Sequence, residues 1–563
     1  MISLFKNHLK LILVWMLILF SGIYYQVHAQ RALFSQEVGS ENGMVASAHP
    51  LASSAGVEIL KKGGNAIDAA VATAFALAVV EPNASGLGGG GFLVIKMADS
   101  PNAITIDYRE CAPGGASPEI YYRTKSTFDS LTQRGSKSIG VPGVLAGLSM
   151  ALDKYGTMKV REVLQPAIRL ANEGFVVSEK FAGLILQNYD LIYNNPGTAA
   201  IYLNEGLPLE QGALIKNPDL AHSFRRIAEK GIKEFYQGEI SHSIVNQIKN
   251  TNGILSLNDL KNYKAIIKKP VRGKYRDYEI YSSAPPSGGG THLIELLNIL
   301  EGYDLAGMEH NSAHYIHLLA EAMKMIFADK SSNMADPAFY KIPVDRLTDK
   351  KYAKQLRKKI DNNKASYDYK PATFLDRESS STTHLSVVDS DHNIIALTQS
   401  INLWFGCGIT VEGTGIILNN HLGDFESQPD KPNSIAPNKR PVSSIAPTIL
   451  LKNGKPFLTI GTPGGSRIIS ALAQIIINII DFEMPIDAAI EAPRVHCYKR
   501  ILKLEGRIPK SVATELEQMG HKVEIHEDYD NYFGGAQGIM IDHSTGKLYG
   551  GADSRRDGVA IGY

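Results

Sequence analysis

Glu378-Ser-Ser-Ser-Thr-Thr-His-Leu-Ser-Val-Val-Asp389 is where this chain changes character. Upstream, Gln355 to Ser381 is rich in Lys, Asp, Asn and Ser and has little periodicity, so a mobile hydrophilic segment is expected there. Downstream, Thr383, Leu385 and Val387 alternate with His384, Ser386 and Val388, which is a strand pattern. Ser390-Asp-His-Asn393 signals a turn, and Ile394 to Ser400 reads as the returning strand. A turn centred between Asp391 and His392 sets position 382 opposite 401; a shift of one residue sets it opposite Ser400. Either register returns Ser400 and Asn402 beside Thr382 as cross-strand neighbours. A threonine opening a strand is usually only a β-former. A hydroxyl and an amide flanking its Oγ at the mouth of a hairpin give it a second, chemical reading.

Working outward, His49 to Lys62 has helical spacing at Leu51, Ala55, Ile59 and Leu60, and Gly63-Gly64 fits a left-handed cap. Asn65 suits the cap of the next helix, Ala66 to Val80, which is apolar nearly all round apart from Asp68 and so should be buried. Pro82 stops it. The run Gly86 to Gly91 precedes the strand Phe92–Lys96; it lacks Gly-Lys-Ser/Thr and opens no helix, so close backbone packing is expected rather than a phosphate loop. Ile104 to Tyr108 is another strand, followed by Arg109, whose planar fork suits a carboxylate. Val160 to Ile360 reads as mostly helical, with examples at Val160–Glu173, Pro218–Lys230 and Asn311–Asp329. Strands return at Gly415–Leu418, Ile449–Lys452 and Pro456–Ile460, then a helix at Ile468–Ile480 and a hairpin at Gln537–Asp542 and Leu548–Gly550. Strands without regular βαβ alternation make the chain α+β, two sheets between helix layers.

The ends and the composition narrow the function classes. Lys6 and Lys10, the apolar run Leu11 to Tyr25 and Val27-His-Ala29 before Gln30 read as a secretory signal peptide over residues 1–29, with an uncleaved anchor as the alternative because the run is long for such a leader though short for a membrane span; the protein is expected to be exported, periplasmic or secreted, with no membrane contact beyond that leader. Fifty-eight basic against 57 acidic residues leave a net charge of +1 with no basic block, which argues against nucleic acid as a partner. Cys111, Cys407 and Cys497 are an odd number without metal spacing, and buried free thiols are expected, with one bridge as the alternative. His310 and His314 have helical i, i+4 spacing, but Asn311 stands where a zinc protease needs its Glu base, so no metal site is assigned.

Six stretches, in order, carry a family resemblance: Gly63-Gly-Asn-Ala-Ile-Asp-Ala-Ala70, Glu81-Pro-Asn-Ala-Ser-Gly-Leu-Gly-Gly-Gly-Gly91, Asp107-Tyr-Arg-Glu-Cys-Ala-Pro113, Thr382-Thr-His-Leu-Ser-Val-Val-Asp389, Pro437-Asn-Lys-Arg-Pro-Val-Ser-Ser444 and Gly461-Thr-Pro-Gly-Gly-Ser-Arg467. With them the chain resembles the gamma-glutamyltranspeptidase family of N-terminal nucleophile hydrolases from about residue 40 to Tyr563. The resemblance implies a four-layer αββα sandwich. It implies a precursor that cuts itself between Ser381 and Thr382, into a large subunit of residues 30–381 and a small one of 382–563, the two remaining together as a heterodimer. Thr382 is then the nucleophile, with its new α-amine as base; Ser400 supports it, and the amides of Gly464 and Gly465 form the oxyanion hole.

For a γ-glutamyl donor such as glutathione, the same resemblance assigns Arg109, Ser443 and Ser444 to the α-carboxylate, and Asp424 and Asn402 to the ammonium. No cofactor is implied; the acyl group passes to water, an amino acid or a dipeptide. Two departures stand out in Asn419-Asn-His-Leu-Gly-Asp-Phe425: His421 replaces an acceptor that helps bind the ammonium, and Gly423 replaces a carboxylate. Only about a dozen residues separate Phe425 from Pro437, so a lid found in some relatives is absent. Those departures keep two alternatives open, an amidase for another acyl group (glutaryl or a cephalosporin side chain) and a non-catalytic binding protein that retains the fold.

Overall fold

The computed structural model describes residues 38–369 and 381–563. The leader and residues 370–380 of the polar run lie outside the described residues. Among the described residues, no helix is long and apolar enough to cross a membrane.

Two seven-stranded sheets stack face to face. One runs Val38–Ser40, Leu548–Ala552, Gln537–Ile541, Lys455–Gly461, Thr448–Lys452, Tyr278–Ser282, Val271–Tyr275; the other runs Val559–Gly562, Met44–Ser47, Thr383–Val388, Ile394–Ser400, Gly90–Lys96, Ile104–Asp107, Ile266–Lys268. The hairpin that opens at Thr382 holds the centre of the second sheet, and every residue of its two strands is buried. Strand alternation decides which core each side chain enters. Leu385, Val387, Ile395 and Leu397 point toward the helices Pro50–Lys61 and Ala66–Val80. Val388, Ile394 and Ala396 point between the sheets, against Ile449, Leu451 and Ile539. A second helix layer, which includes Gly289–Leu300, Ala313–Asn333 and Arg467–Ile480, covers the outer face of the first sheet. The αββα sandwich is therefore the architecture.

The local expectations hold where the side chain itself dictates the conformation. Asn65 and Asp68 form a reciprocal capping box on Ala66–Val80, and all fifteen residues of that helix are buried. Gly63 takes φ +88° in the turn after Pro50–Lys61. The glycine run packs as expected: a Cβ on Gly88 would lie 2.0 Å from the Ile417 carbonyl oxygen, and one on Gly89 2.2 Å from that of Ser400. Cys111, Cys407 and Cys497 are free thiols. Three expectations need correction. Val160–Glu173 is two helices, Val160–Val163 and Gln165–Glu173, because Pro166 has no N–H to continue the first. His310 precedes the helix that Ser312 caps, so it shares no helix face with His314. The described part of the polar run carries structure: Gln355 lies in the helix Lys350–Arg357, and the Ala365 amide donates to the Met519 carbonyl at 2.8 Å.

Candidate active site

The hairpin register pairs Thr383 with Gln399 and Val388 with Ile394, which sets Thr382 opposite Ser400. The Thr382 hydroxyl donates to Ser400 Oγ at 2.9 Å, and the same oxygen accepts the Asn402 amide at 2.8 Å. Ser400 is thus an acceptor for two donors in a site where Thr382 is only 3% exposed. Ser381, fully buried, donates its hydroxyl to the Asn402 carbonyl. Arg556 donates to the Thr382 carbonyl at 2.6 Å and pairs with Glu81 at 2.9 Å. Burial pushes the Glu81 carboxyl above its usual range, with Arg556 pulling it back.

These anchors hold an unfavourable backbone. Thr382 has φ +130°. A β-branched residue enters that region only at a cost of roughly 1–3 kcal/mol. The strain sits on the junction between Ser381 and Thr382, where the family resemblance implies a cut.

Arg109 is fully buried at the end of Ile104–Asp107. Its guanidinium donates to the carbonyls of Pro441 at 3.3 Å and Val442 at 3.1 Å, which brings it beside Ser443. It also pairs with Asp424, 315 residues away in sequence, and lies 3.5 Å from Glu110. So the residues expected to take the two ends of an α-amino acid bind each other here. His421 Nδ1 lies 2.7 Å from Glu110 Oε1, both side chains buried. Asn402 Nδ2 donates to the Asn420 carbonyl at 3.1 Å. Thr382, Ser400 and Asn402 thus form one hydrogen-bonded chain and His421, Glu110, Arg109 and Asp424 a second, and the two meet at the adjacent residues Asn420 and His421. Ser443 Oγ accepts the Ile445 amide at 3.1 Å, and Ser444 is half-buried beside it. The segment after Asp424 folds on itself, Glu426 donating to the Asn433 carbonyl at 2.8 Å, and the Asp424 side chain remains 25% exposed.

Gly464 and Gly465 take φ +127° and +59° directly before the helix Arg467–Ile480. Among the described residues, neither amide N–H has an acceptor. The strand that delivers them ends at Gly461, where a Cβ would lie 2.2 Å from His384 Nδ1, two residues past Thr382. His384 is itself satisfied by Thr398 at 2.7 Å and Ser386 at 3.0 Å, and burial lowers its pKa to about 3. It is a neutral inter-sheet strut.

Sequence reasoning missed Glu110, Glu81, Asn420 and Arg556. Glu110, Glu81 and Asn420 lie inside the stretches Asp107–Pro113, Glu81–Gly91 and Asn419–Phe425, adjacent to residues with a reading, and that adjacency was the available signal. Arg556 offered none, because only the closure of the C-terminal strand onto Met44–Ser47 brings it to the site.

A family model described as Gamma-glutamyltranspeptidase matches residues 52–563. The chain is 41% identical over 545 residues to the glutathione hydrolase proenzyme of Escherichia coli (strain K12), covering 93% of each. It is equally 41% identical, over 526 residues, to the acylase ACY 1 proenzyme of Pseudomonas sp. (strain SE83), covering 92% of this chain and 93% of that one. Among solved structures, cephalosporin acylase from Bacillus halodurans superposes with a TM-score of 0.86 at 30% identity, over 94% of this chain and 97% of that one.

Proposed function

We infer that the chain, which belongs to the gamma-glutamyltranspeptidase family, is an exported enzyme that severs itself before Thr382 and then cleaves the γ-glutamyl amide of glutathione-like donors. The observation that carries this reading is the Thr382 hydroxyl, hydrogen-bonded at 2.9 Å to Ser400 on a backbone strained at φ +130°.

In the first reaction Thr382 Oγ attacks the Ser381 carbonyl carbon, the peptide C–N bond breaks, and the Oγ proton passes to the departing nitrogen. That leaves an ester on Oγ and a free α-amine. Water then hydrolyses the ester, giving a Ser381 carboxylate and restoring the hydroxyl. Losing the acyl partner of the Thr382 nitrogen releases the φ strain, while Arg556 keeps hold of the Thr382 carbonyl. The α-amine, with a reference pKa of roughly 7.7–8.0, is partly neutral at working pH and accepts the Oγ proton in the second reaction. Oγ attacks the γ-carbonyl of the donor, the proton passes to the leaving amine, and a γ-glutamyl ester forms. Water, an amino acid or a dipeptide takes the acyl group from it.

Gly464 and Gly465 suit the oxyanion hole, since two amides without an acceptor precede a helix N-terminus. Arg109, with Ser443 and Ser444, suits the donor α-carboxylate; Asp424 and Asn402 suit its ammonium. The two pieces, 30–381 and 382–563, would stay together because each contributes strands to both sheets and small-piece strands pair with large-piece strands in each. A denaturing gel tests the first step: two bands for the native chain and one for Thr382→Ala. Turnover of a γ-glutamyl anilide, with and without a dipeptide acceptor, tests the second.

A second acyl specificity has its own support. His421, bound to Glu110, replaces an acceptor for the ammonium, and relatives named acylase match as well as the glutathione hydrolase does. Glutaryl anilide turned over faster than γ-glutamyl anilide would favour this reading.

A further inference from the structure

A second cluster of buried polar side chains lies far in sequence from the hairpin. His317 and Glu321, four residues apart on the helix Ala313–Asn333, share one helix face with Lys324. His521 meets them from the turn after Lys510–Gln518, its Nε2 2.8 Å from His317 Nδ1. One ligand atom each from His317, Glu321 and His521 lies within 4.8 Å of the others, and all three residues are buried.

We propose that His317 Nδ1, His521 Nε2 and one oxygen of Glu321 form a binding site for a divalent first-row transition metal of the zinc class, tying the two pieces of the severed chain together. Two imidazoles and a carboxylate are the donor set such ions take, with a fourth position for water. The tautomer of His317 is already suited. Its Nε2 lies 2.7 Å from the Asp361 carbonyl, which can only accept, so the proton sits on Nε2 and the lone pair on Nδ1. His521 must move its proton from Nε2 to Nδ1 through solvent. Zn–N bonds of roughly 2.0–2.1 Å in a tetrahedron put two nitrogens about 3.3 Å apart, so the rings separate by about 0.5 Å from their present contact.

Lys324 is the competitor. Its ammonium lies 2.6 Å from Glu321 Oε1, donates to the Ser366 carbonyl at 3.0 Å and sits over the Tyr367 ring. The Ser366 amide reaches both Glu321 oxygens at 3.3 Å, and the Tyr369 hydroxyl donates to the Lys359 carbonyl at 3.3 Å. A metal therefore takes the oxygen that Lys324 leaves, and the ammonium keeps its carbonyl and its ring.

The placement says what such an ion would do. His317 and Glu321 precede the cut, His521 follows it, and Asp361 and Ser366 belong to the stretch leading to the cut. The site rests only on the side chains; the tie rests also on the severing proposed above, and the two are tested apart. Full-length protein stripped with a chelator is titrated with zinc and, separately, with cobalt. One equivalent of zinc bound by both the native protein and uncut Thr382→Ala, a cobalt spectrum of tetrahedral intensity, and at least a tenfold weaker affinity in His521→Gln and Glu321→Gln support the site. No cobalt spectrum in the native protein, or zinc retained equally by both variants, overturns it and leaves an imidazole–imidazole hydrogen bond. Zinc should raise the urea midpoint for separation of the two pieces in the native protein. An unchanged midpoint overturns the tie, and a gel with one band overturns the severing instead.

Discussion

Removing the Ser400 hydroxyl isolates what that oxygen contributes to the attack. In Ser400→Ala the Thr382 hydroxyl loses its acceptor at 2.9 Å and the Asn402 amide loses its acceptor at 2.8 Å, in a pocket where Ser400 is 1% exposed. Each buried group deprived of its partner costs about 1–3 kcal/mol. The two losses fall on different quantities. The Asn402 contribution is present before and during the reaction, so it lowers stability and leaves the rate alone. The Thr382 contribution aims the Oγ lone pair at the Ser381 carbonyl, so it raises the barrier. At about 1.4 kcal/mol per decade, a loss of about 1–3 kcal/mol slows severing by roughly 5- to 150-fold. The assay is a time course of newly made precursor on a denaturing gel, with Ser400→Thr as the control that keeps the oxygen. Severing in Ser400→Ala within twofold of native, or Ser400→Thr as slow as Ser400→Ala, refutes the role given to this hydroxyl.

Other outcomes follow from the same geometry. Thr382→Ala remains one band and turns over no anilide; a cut or active variant excludes Thr382 as the attacking group. Arg109→Lys replaces a fork that reaches Pro441, Val442 and Asp424 by a point charge, and raises KM for a γ-glutamyl donor by about 10- to 100-fold on the strength of charged hydrogen bonds; an unchanged KM dismisses the carboxylate clamp. His421→Gln frees Glu110 from the imidazole and lowers KM for the γ-glutamyl donor, whereas a higher KM means that the histidine contributes to binding. Burial lowers the pKa of His292 and His384 to about 3 each. A depressed histidine stabilises fully above its unfolded pKa of about 6.5 and loses that contribution as pH falls toward the folded value. Between pH 7.5 and 5.5 the two together therefore remove about 3 kcal/mol of stability. Equal urea midpoints at those two pH values would contradict the burial of these rings as neutral groups.

The sandwich was legible because its central signals are local. Alternation along Thr383–Val388, the Asn65 cap and the crowded glycine run each follow from neighbours in sequence. The register was less so: two positions for the turn were open, and Asp389 chooses between them. Its carboxylate accepts the amides of Asp391 at 3.1 Å and Asn393 at 2.9 Å, and that of Ala66 at 2.8 Å, a contact 323 residues distant. The site was half legible for the same reason. Thr382 and Ser400 face each other by hairpin geometry alone. That Arg109 pairs with Asp424, or that Arg556 reaches the Thr382 carbonyl, depends on chain closure over hundreds of residues, and no spacing carries it. The pair His317 and Glu321 was within reach, since its i, i+4 spacing on a helix is local; the partner His521 was not.

The pairing of Arg109 with Asp424 bears on which donors the site tolerates. An α-amino acid head entering between them exchanges one ion pair for two, carboxylate on Arg109 and ammonium on Asp424, so the guanidinium is never left alone in the interior. A glutaryl head supplies the carboxylate only and leaves Asp424 without its cation. Were Asp424 fully buried, that would be prohibitive, because a buried pair broken on one side costs roughly 3–5 kcal/mol. Its side chain is 25% exposed, however, and water softens the loss. Glu110 matters here too: with one oxygen on His421 and the other facing Arg109, it keeps the guanidinium partly neutralised whichever head is bound. If Arg109 and Asp424 take the two ends of the donor as proposed, a zwitterionic head is favoured by a margin that a few changes around Asp424 could erase.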